Sequence, residues 1–155
     1  TALLEALQND SVHPALQTLF TTFGRRTAGT WREVLGDSWQ AHEVFMAWHF
    51  ARYLDRLAEC GKAVKALPMY ANAWLGPQPG QDQAGLWPSG GPASRVLDVW
   101  KAAAPNLDLL SPDIYVSDAR PVFDSYDRPD NPLFVPESLF GHGAAPCRRS
   151  ARRPH

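Results

Sequence analysis

The sequence predicts an α/β fold built on a parallel sheet, and three observations carry that expectation. Between residues 66 and 137 the apolar runs alternate strand, helix, strand, helix, strand, the order that builds parallel sheets. The strand runs are near-continuously apolar rather than alternating, as in strands covered on both faces. Proline is frequent, 14 of 155 residues or about 9% against a usual ~5%, and it punctuates the chain rather than clustering. A mass of 17.2 kDa suits one domain. With 45% hydrophobic and 20% charged residues there is enough apolar mass for a core, which argues against a wholly disordered chain.

Taken in order, the elements begin with helices. Residues 2–8 are good helix formers, and Asn9, Asp10 and Ser11 offer caps for the next segment. His13 and Pro14 open a helix over 15–23, with Leu16, Leu19, Phe20 and Phe23 on one stripe. Thr30 can cap a short turn of helix over 31–35, which Gly36 ends. The longest helix is expected over 40–60. There Val44, Trp48, Ala51, Leu54 or Asp55, and Ala58 form the inner stripe, Phe45 and Leu57 widen it, and Gly61 stops it. Residues 66–74 (ALPMYANAW) read as a buried strand. The stretch 75–92 is rich in Gly, Pro, Gln and Ser and carries Trp87, a loop of functional length. A helix follows over 93–103, with Val96, Leu97, Trp100 and Ala104 inward, and Pro105 cuts it off. Residues 107–116 form the second strand, 119–126 a helix or irregular turn, and 132–137 the third strand.

Each strand starts apolar and ends in polar or aromatic groups: Asn72 and Trp74, Asp113 and Tyr115, then Glu137. In parallel α/β folds the carboxyl ends of the strands face the ligand, so these side chains should converge on one rim. Amides and carboxylates take hydroxyls while aromatic faces pack on an apolar ring surface, a mixture suited to a sugar. Glu137 is the leading candidate, because Leu133-Phe134-Val135-Pro136 anchors its backbone. There it could be a nucleophile at an anomeric carbon, a base or a metal ligand, against the plainer reading of a glutamate capping a turn. Asp113 sits in Ser-Pro-Asp, which is also good turn chemistry. Tyr115 could hold Glu137 in orientation, and Asn72, Trp74 and Trp87 are candidates for sugar contact.

Several classes fall away. G-x-S-x-G, P-loop and G-x-G-x-x-G patterns are missing. Cys60 and Cys147 show no metal-ligand spacing, which argues against a zinc site or a disulfide framework. No stretch reaches the roughly 18 apolar residues of a membrane span. Residues 141–155 hold Arg148, Arg149, Arg152 and Arg153 and no acid; without them 11 basic residues face 16 acidic ones, a balance of −5. The body therefore lacks the electrostatic footprint of a nucleic-acid binder.

Five segments carry a likeness: FMAWHFARYL, GKAVKALPMYANAWL, WPSGGP, DVWKAAAPNLDLLSPDIY and YDRPDNPLFVPES. In this order they resemble the catalytic barrel of bacterial β-galactosidase-like enzymes of glycoside hydrolase family thirty-five, over about residues 3–138. The resemblance implies part of a (β/α)₈ barrel of the retaining clan, with residues 67–75, 107–116 and 133–137 as strands five, six and seven. It matches Glu137 to the nucleophile, Tyr115 to the strand-six tyrosine beside it, and Asn72 and Trp74 to the rim of strand five. The acid/base glutamate, after strand four, is then expected before Thr1; Glu5, Glu33, Glu43 and Glu59 all read as helix or turn positions.

After Ser138 the family pattern stops, and 141–155 reads as an irregular Arg-rich tail of the kind a shifted frame or truncated gene would encode. The resemblance implies a fragment of a retaining β-galactosidase, inactive by itself. Its substrate would be a galactoside, and its reaction would need neither a metal nor an organic cofactor. The family is often exported, to the periplasm or outside the cell, but the compartment and oligomeric state of this chain are left open. The alternatives are a glycosidase of the same clan acting on β-mannosides or β-glucans, and a non-catalytic α/β interaction domain.

Overall fold

The structure, a computed structural model, describes residues 28–76, 80–81 and 85–139, together with Glu5, Pro14, Gln17 and Thr21. Apart from those four positions, the helices expected over 2–8 and 15–23 lie outside the described residues, as do Cys147 and the tail 141–155. The described residues form a mixed helix and strand fold with a small three-stranded parallel sheet.

Helix α1 (Trp31–Leu35) starts where Thr30 accepts from the Glu33 N–H while the Glu33 carboxylate accepts from the Thr30 N–H, a reciprocal capping box. Gly36, at φ 86°, ends it. Helix α2 (Trp39–Val64) begins at Ser38, whose hydroxyl accepts from the Ala41 N–H. It buries Ala41, Val44, Ala47, Trp48, Ala51, Asp55 and Ala58, so at the position left open between Leu54 and Asp55 the inward residue is the aspartate.

Two expectations for this helix are corrected. Gly61 does not stop it: the missing Cβ weakens an interior position by about 1 kcal/mol, too little to end a helix of 26 residues. Its last turn is closed instead by the Lys65 N–H on the Gly61 carbonyl. Leu57 does not widen the inner face. It is 48% exposed, on a different side with Met46, Phe50 and Tyr53 at three- and four-residue steps.

Strand β1 (Tyr70–Ala73) is shorter than the run 66–74, because Pro68 brings no N–H to a ladder and 65–68 are exposed. A 3₁₀ turn (Ser94–Val96) leads into helix α3 (Leu97–Ala103), where one continuous helix was expected. Strand β2 (Leu109–Ile114) and helix α4 (Arg120–Tyr126) come next; at 119–126 the chain is helical rather than irregular. Strand β3 is only Glu137–Ser138, and residues 132–136 are not paired.

The reason for that short third strand is local. Pro132 and Pro136 lack N–H groups, and the edge of β2 that 133–135 would pair with is already occupied. Asn131, fully buried, accepts from the Leu110 N–H at 2.9 Å and donates to the Leu110 carbonyl at 2.9 Å.

The strand order is β1-β2-β3, all parallel. Tyr70 pairs with Leu109 through to Ala73 with Pro112, and Asp113 and Ile114 pair with Glu137 and Ser138. Both crossovers are helical, through α3 and then α4. One sheet face packs on the helices: Ala71 and Leu110 join Trp48, Leu97, Trp100 and Tyr126 in a single apolar cluster. The other face carries Tyr70, Asn72 and Asp113 toward the exterior. Among the described residues no helix is long and apolar enough to cross a membrane.

Candidate functional site

Alternation along β1 puts residues 70, 72 and 74 on one face, away from buried Ala71 and Ala73. Parallel register sets Asn72 beside Ser111 and Asp113 beside Glu137. Two residues along from Asp113, Tyr115 continues the same face just past the end of β2. Five of the six sequence candidates therefore gather at the carboxyl ends of three neighbouring strands.

Their contacts link them in pairs. The Asn72 amide nitrogen donates to both carboxylate oxygens of Asp113, each at 2.9 Å. The Tyr115 hydroxyl donates to Glu137 Oε1. The Trp74 and Tyr115 rings stack, centroids 6.4 Å apart and planes within 19°, and both remain over two-fifths exposed.

The electrostatics reflect these neighbours. Donation to Glu137 holds the proton on Tyr115 and raises the phenol above its ordinary value. Burial raises the Asp113 carboxyl; the Asn72 amide works in the opposite direction, and the negative charge of Glu137 adds to the rise. Glu137 itself is exposed, with one carboxylate oxygen oriented by a phenol. Such a carboxylate can attack an electrophilic carbon or take a proton.

Trp87 is placed elsewhere. It is 5% exposed, its ring lies 5.2 Å from the Arg95 guanidinium and meets Trp39 edge-on at 6.3 Å. Gly76 runs so close beneath it that a Cβ there would sit 2.6 Å from the ring. Its ring contacts are thus with Arg95 of the 3₁₀ turn, Trp39 of α2 and the Gly76 backbone.

Sequence reasoning missed two groups. The first is Glu43, 2% exposed in α2 and paired through both oxygens with Arg95 at 2.5 and 2.6 Å. Arg95 also donates to the Gly76 carbonyl, which ties the end of the Trp74 segment to α2. The two partners are 52 residues apart, and no spacing signal joins them. The second is Ser111, fully buried, whose hydroxyl has no hydrogen-bond partner among the described residues. Its position opposite Asn72 becomes visible only once the register is known. Among the described residues, no three His, Cys, Asp or Glu side chains group as a metal site. The chain matches no protein-family model and no curated protein sequence.

Proposed function

We propose that this chain is part of a retaining glycoside hydrolase barrel whose parent reaction is hydrolysis of terminal β-galactosides. The observation that carries the reading is the Glu137 carboxylate, held by the Tyr115 hydroxyl at the carboxyl end of a parallel sheet. Glu137 is the nucleophile: its free lone pair forms the bond to the anomeric carbon as the glycosidic bond breaks, and water later releases the sugar. Tyr115 holds the attacking carboxylate in line. Trp74, stacked on Tyr115, offers an aromatic platform for a sugar face, and Asn72 and Asp113 bind hydroxyls. Retention requires a second carboxyl group roughly 5–5.5 Å from the first, as acid and then base. The resemblance assigns that role to a glutamate after strand four, whereas β1, β2 and β3 would correspond to strands five, six and seven.

A wider body is supported by two exposed apolar surfaces. In a closed barrel the face bearing Tyr70, Asn72, Trp74 and Tyr115 turns inward, and the outer helices meet neighbouring helices. The exposed side chains of Tyr70 and Trp74 on the sheet, and of Met46, Phe50 and Leu57 on α2, suit such neighbours.

Intact-mass spectrometry after incubation with 2-deoxy-2-fluoro-galactosyl fluoride tests the reading on the chain and on Glu137→Gln. Fluoride leaves with little acid assistance, so the first half-reaction can proceed without the second carboxyl. The expected result is a gain of one fluorosugar on the chain and none on the variant. No gain, or an equal gain on the variant, removes Glu137 from the nucleophile role.

A further inference from the structure

Asn72 and Asp113 lie on adjacent strands, and the contact between them has a direction. An ionised carboxylate only accepts hydrogen bonds, so the amide nitrogen of Asn72 must be the atom turned toward it. Both Asp113 oxygens receive that nitrogen, at 2.9 Å each, which leaves the Asn72 carbonyl oxygen as the atom available to the exposed side of the sheet. A protonated Asp113 has the opposite capacity, since its O–H donates and can hold the amide by its oxygen.

We propose that Asp113 is a positioning residue that decides, by its own protonation, which end of the Asn72 amide the face presents. With Asp113 ionised, the face offers an acceptor at Asn72 and takes a ligand group that donates, such as a sugar hydroxyl. With Asp113 protonated, the amide turns and offers N–H donors in the same place. The inference stands on the hydrogen-bond pattern and the strand register and does not require the glycosidase reading.

The surroundings place this switch in an accessible range. Burial raises the Asp113 carboxyl and the charge of Glu137 adds to the rise, against the pull of Asn72. The titratable and charged groups on the elements packed against β2 are Tyr70 of β1, Arg120, Asp124 and Tyr126 of α4, and Glu137 of β3, with Tyr115 on the strand's own continuation. Among them Glu137 acts on Asp113 directly, and the charge of Asp113 is felt at Tyr115 and Tyr126. Both tyrosines are raised above the ordinary phenol range, so they stay neutral where carboxyl groups titrate. Ser111 lies opposite Asn72 in the register, its hydroxyl without a partner among the described residues, a polar group available to the turned amide.

The experiment is a nuclear magnetic resonance titration of the full chain labelled with ¹³C and ¹⁵N, from about pH 3 to 7 to bracket ordinary carboxyl groups. It follows the Asn72 side-chain NH₂ and the Asp113 and Glu137 carboxyl carbons. The expected result is that the Asn72 signals move with the Asp113 midpoint, above the usual aspartate range. Glu137→Gln should lower that midpoint without abolishing the movement, and Asp113→Asn should flatten it. Asn72 signals that stay flat in the unmodified chain, or that follow the Glu137 midpoint, overturn the proposal. The unmodified chain is decisive even where Asp113→Asn fails to fold. Failure of the fluorosugar labelling would leave this result untouched, so the two readings fail separately.

Discussion

Asn131 is fully buried, and its amide does for Leu110 what a neighbouring strand would otherwise do. It accepts from the Leu110 N–H, donates to the Leu110 carbonyl, and donates again to the Tyr126 carbonyl at 3.0 Å. Truncation strands a buried backbone N–H, and an unsatisfied buried donor costs about 1–3 kcal/mol. Asn131→Ala should therefore lose about 2–3 kcal/mol in urea denaturation, counting the lost packing. A loss below about 0.5 kcal/mol would show that the amide is dispensable to the fold. The candidate site works by similar one-to-one pairings, Tyr115 with Glu137 and Asn72 with Asp113. Those residues were legible as strand-end polar groups, whereas the pairing of a particular donor with a particular acceptor depends on register.

At the scale of elements, two glycines behave oppositely. Gly61 lies inside α2, and a Cβ there would meet Met69 Cε at an ordinary 3.6 Å. Gly61→Ala should stabilise the chain by about 0.5–1 kcal/mol, by helix propensity and a less free unfolded state. A Cβ on Gly90, whose φ is 93°, would sit 2.7 Å from Met46 Cβ and 3.0 Å from the Phe50 ring. Gly90→Ala meets both a disfavoured backbone conformation and a side-chain clash, so it should destabilise by more than about 1 kcal/mol. Thermal melts of the two variants should move in opposite directions; a shared direction would contradict the local geometry. A sequence pattern sees both positions simply as glycine after an element or within a loop, and that is why Gly61 reads as a helix stop. Helix existence was legible from the 3.6-residue stripe, while its end depends on where the chain beyond it turns to reach β1.

Over the whole molecule, the Glu43–Arg95 pair fastens the loop after β1 to the longest helix. Arg95 bonds both oxygens of Glu43 and the Gly76 carbonyl, and lies over the Trp87 ring. Removing one charge of a buried pair leaves the other uncompensated, at about 3–5 kcal/mol in a dry site. The Arg95 side chain is 27% exposed, so water screens part of this and Glu43→Gln should cost about 2–4 kcal/mol. Replacing both partners by apolar residues, as in Glu43→Leu with Arg95→Met, should cost less than the single change, because no unpaired charge remains. Urea denaturation of the single and double variants checks this order, with tryptophan emission reporting whether Arg95 leaves Trp87. A double variant weaker than Glu43→Gln would mean that the pair holds the loop by more than mutual charge compensation.

The sequence by itself determined the alternation of strand and helix, the inward stripe of α2 from Val44 to Ala58, the capping of α1 by Thr30, and the polar ends of the strands. All of these rest on interactions within a few residues or on a periodic pattern, so composition and spacing are enough to read them. Tertiary structure alone decided that β3 shortens to two residues because Asn131 occupies the edge of β2. It also decided that Trp87 lies against Arg95, and that Asp113 comes to stand between Asn72 and Glu137. These outcomes join residues tens of positions apart. Their energy exists only when register and packing have brought both partners together, and no local signal in the chain records it.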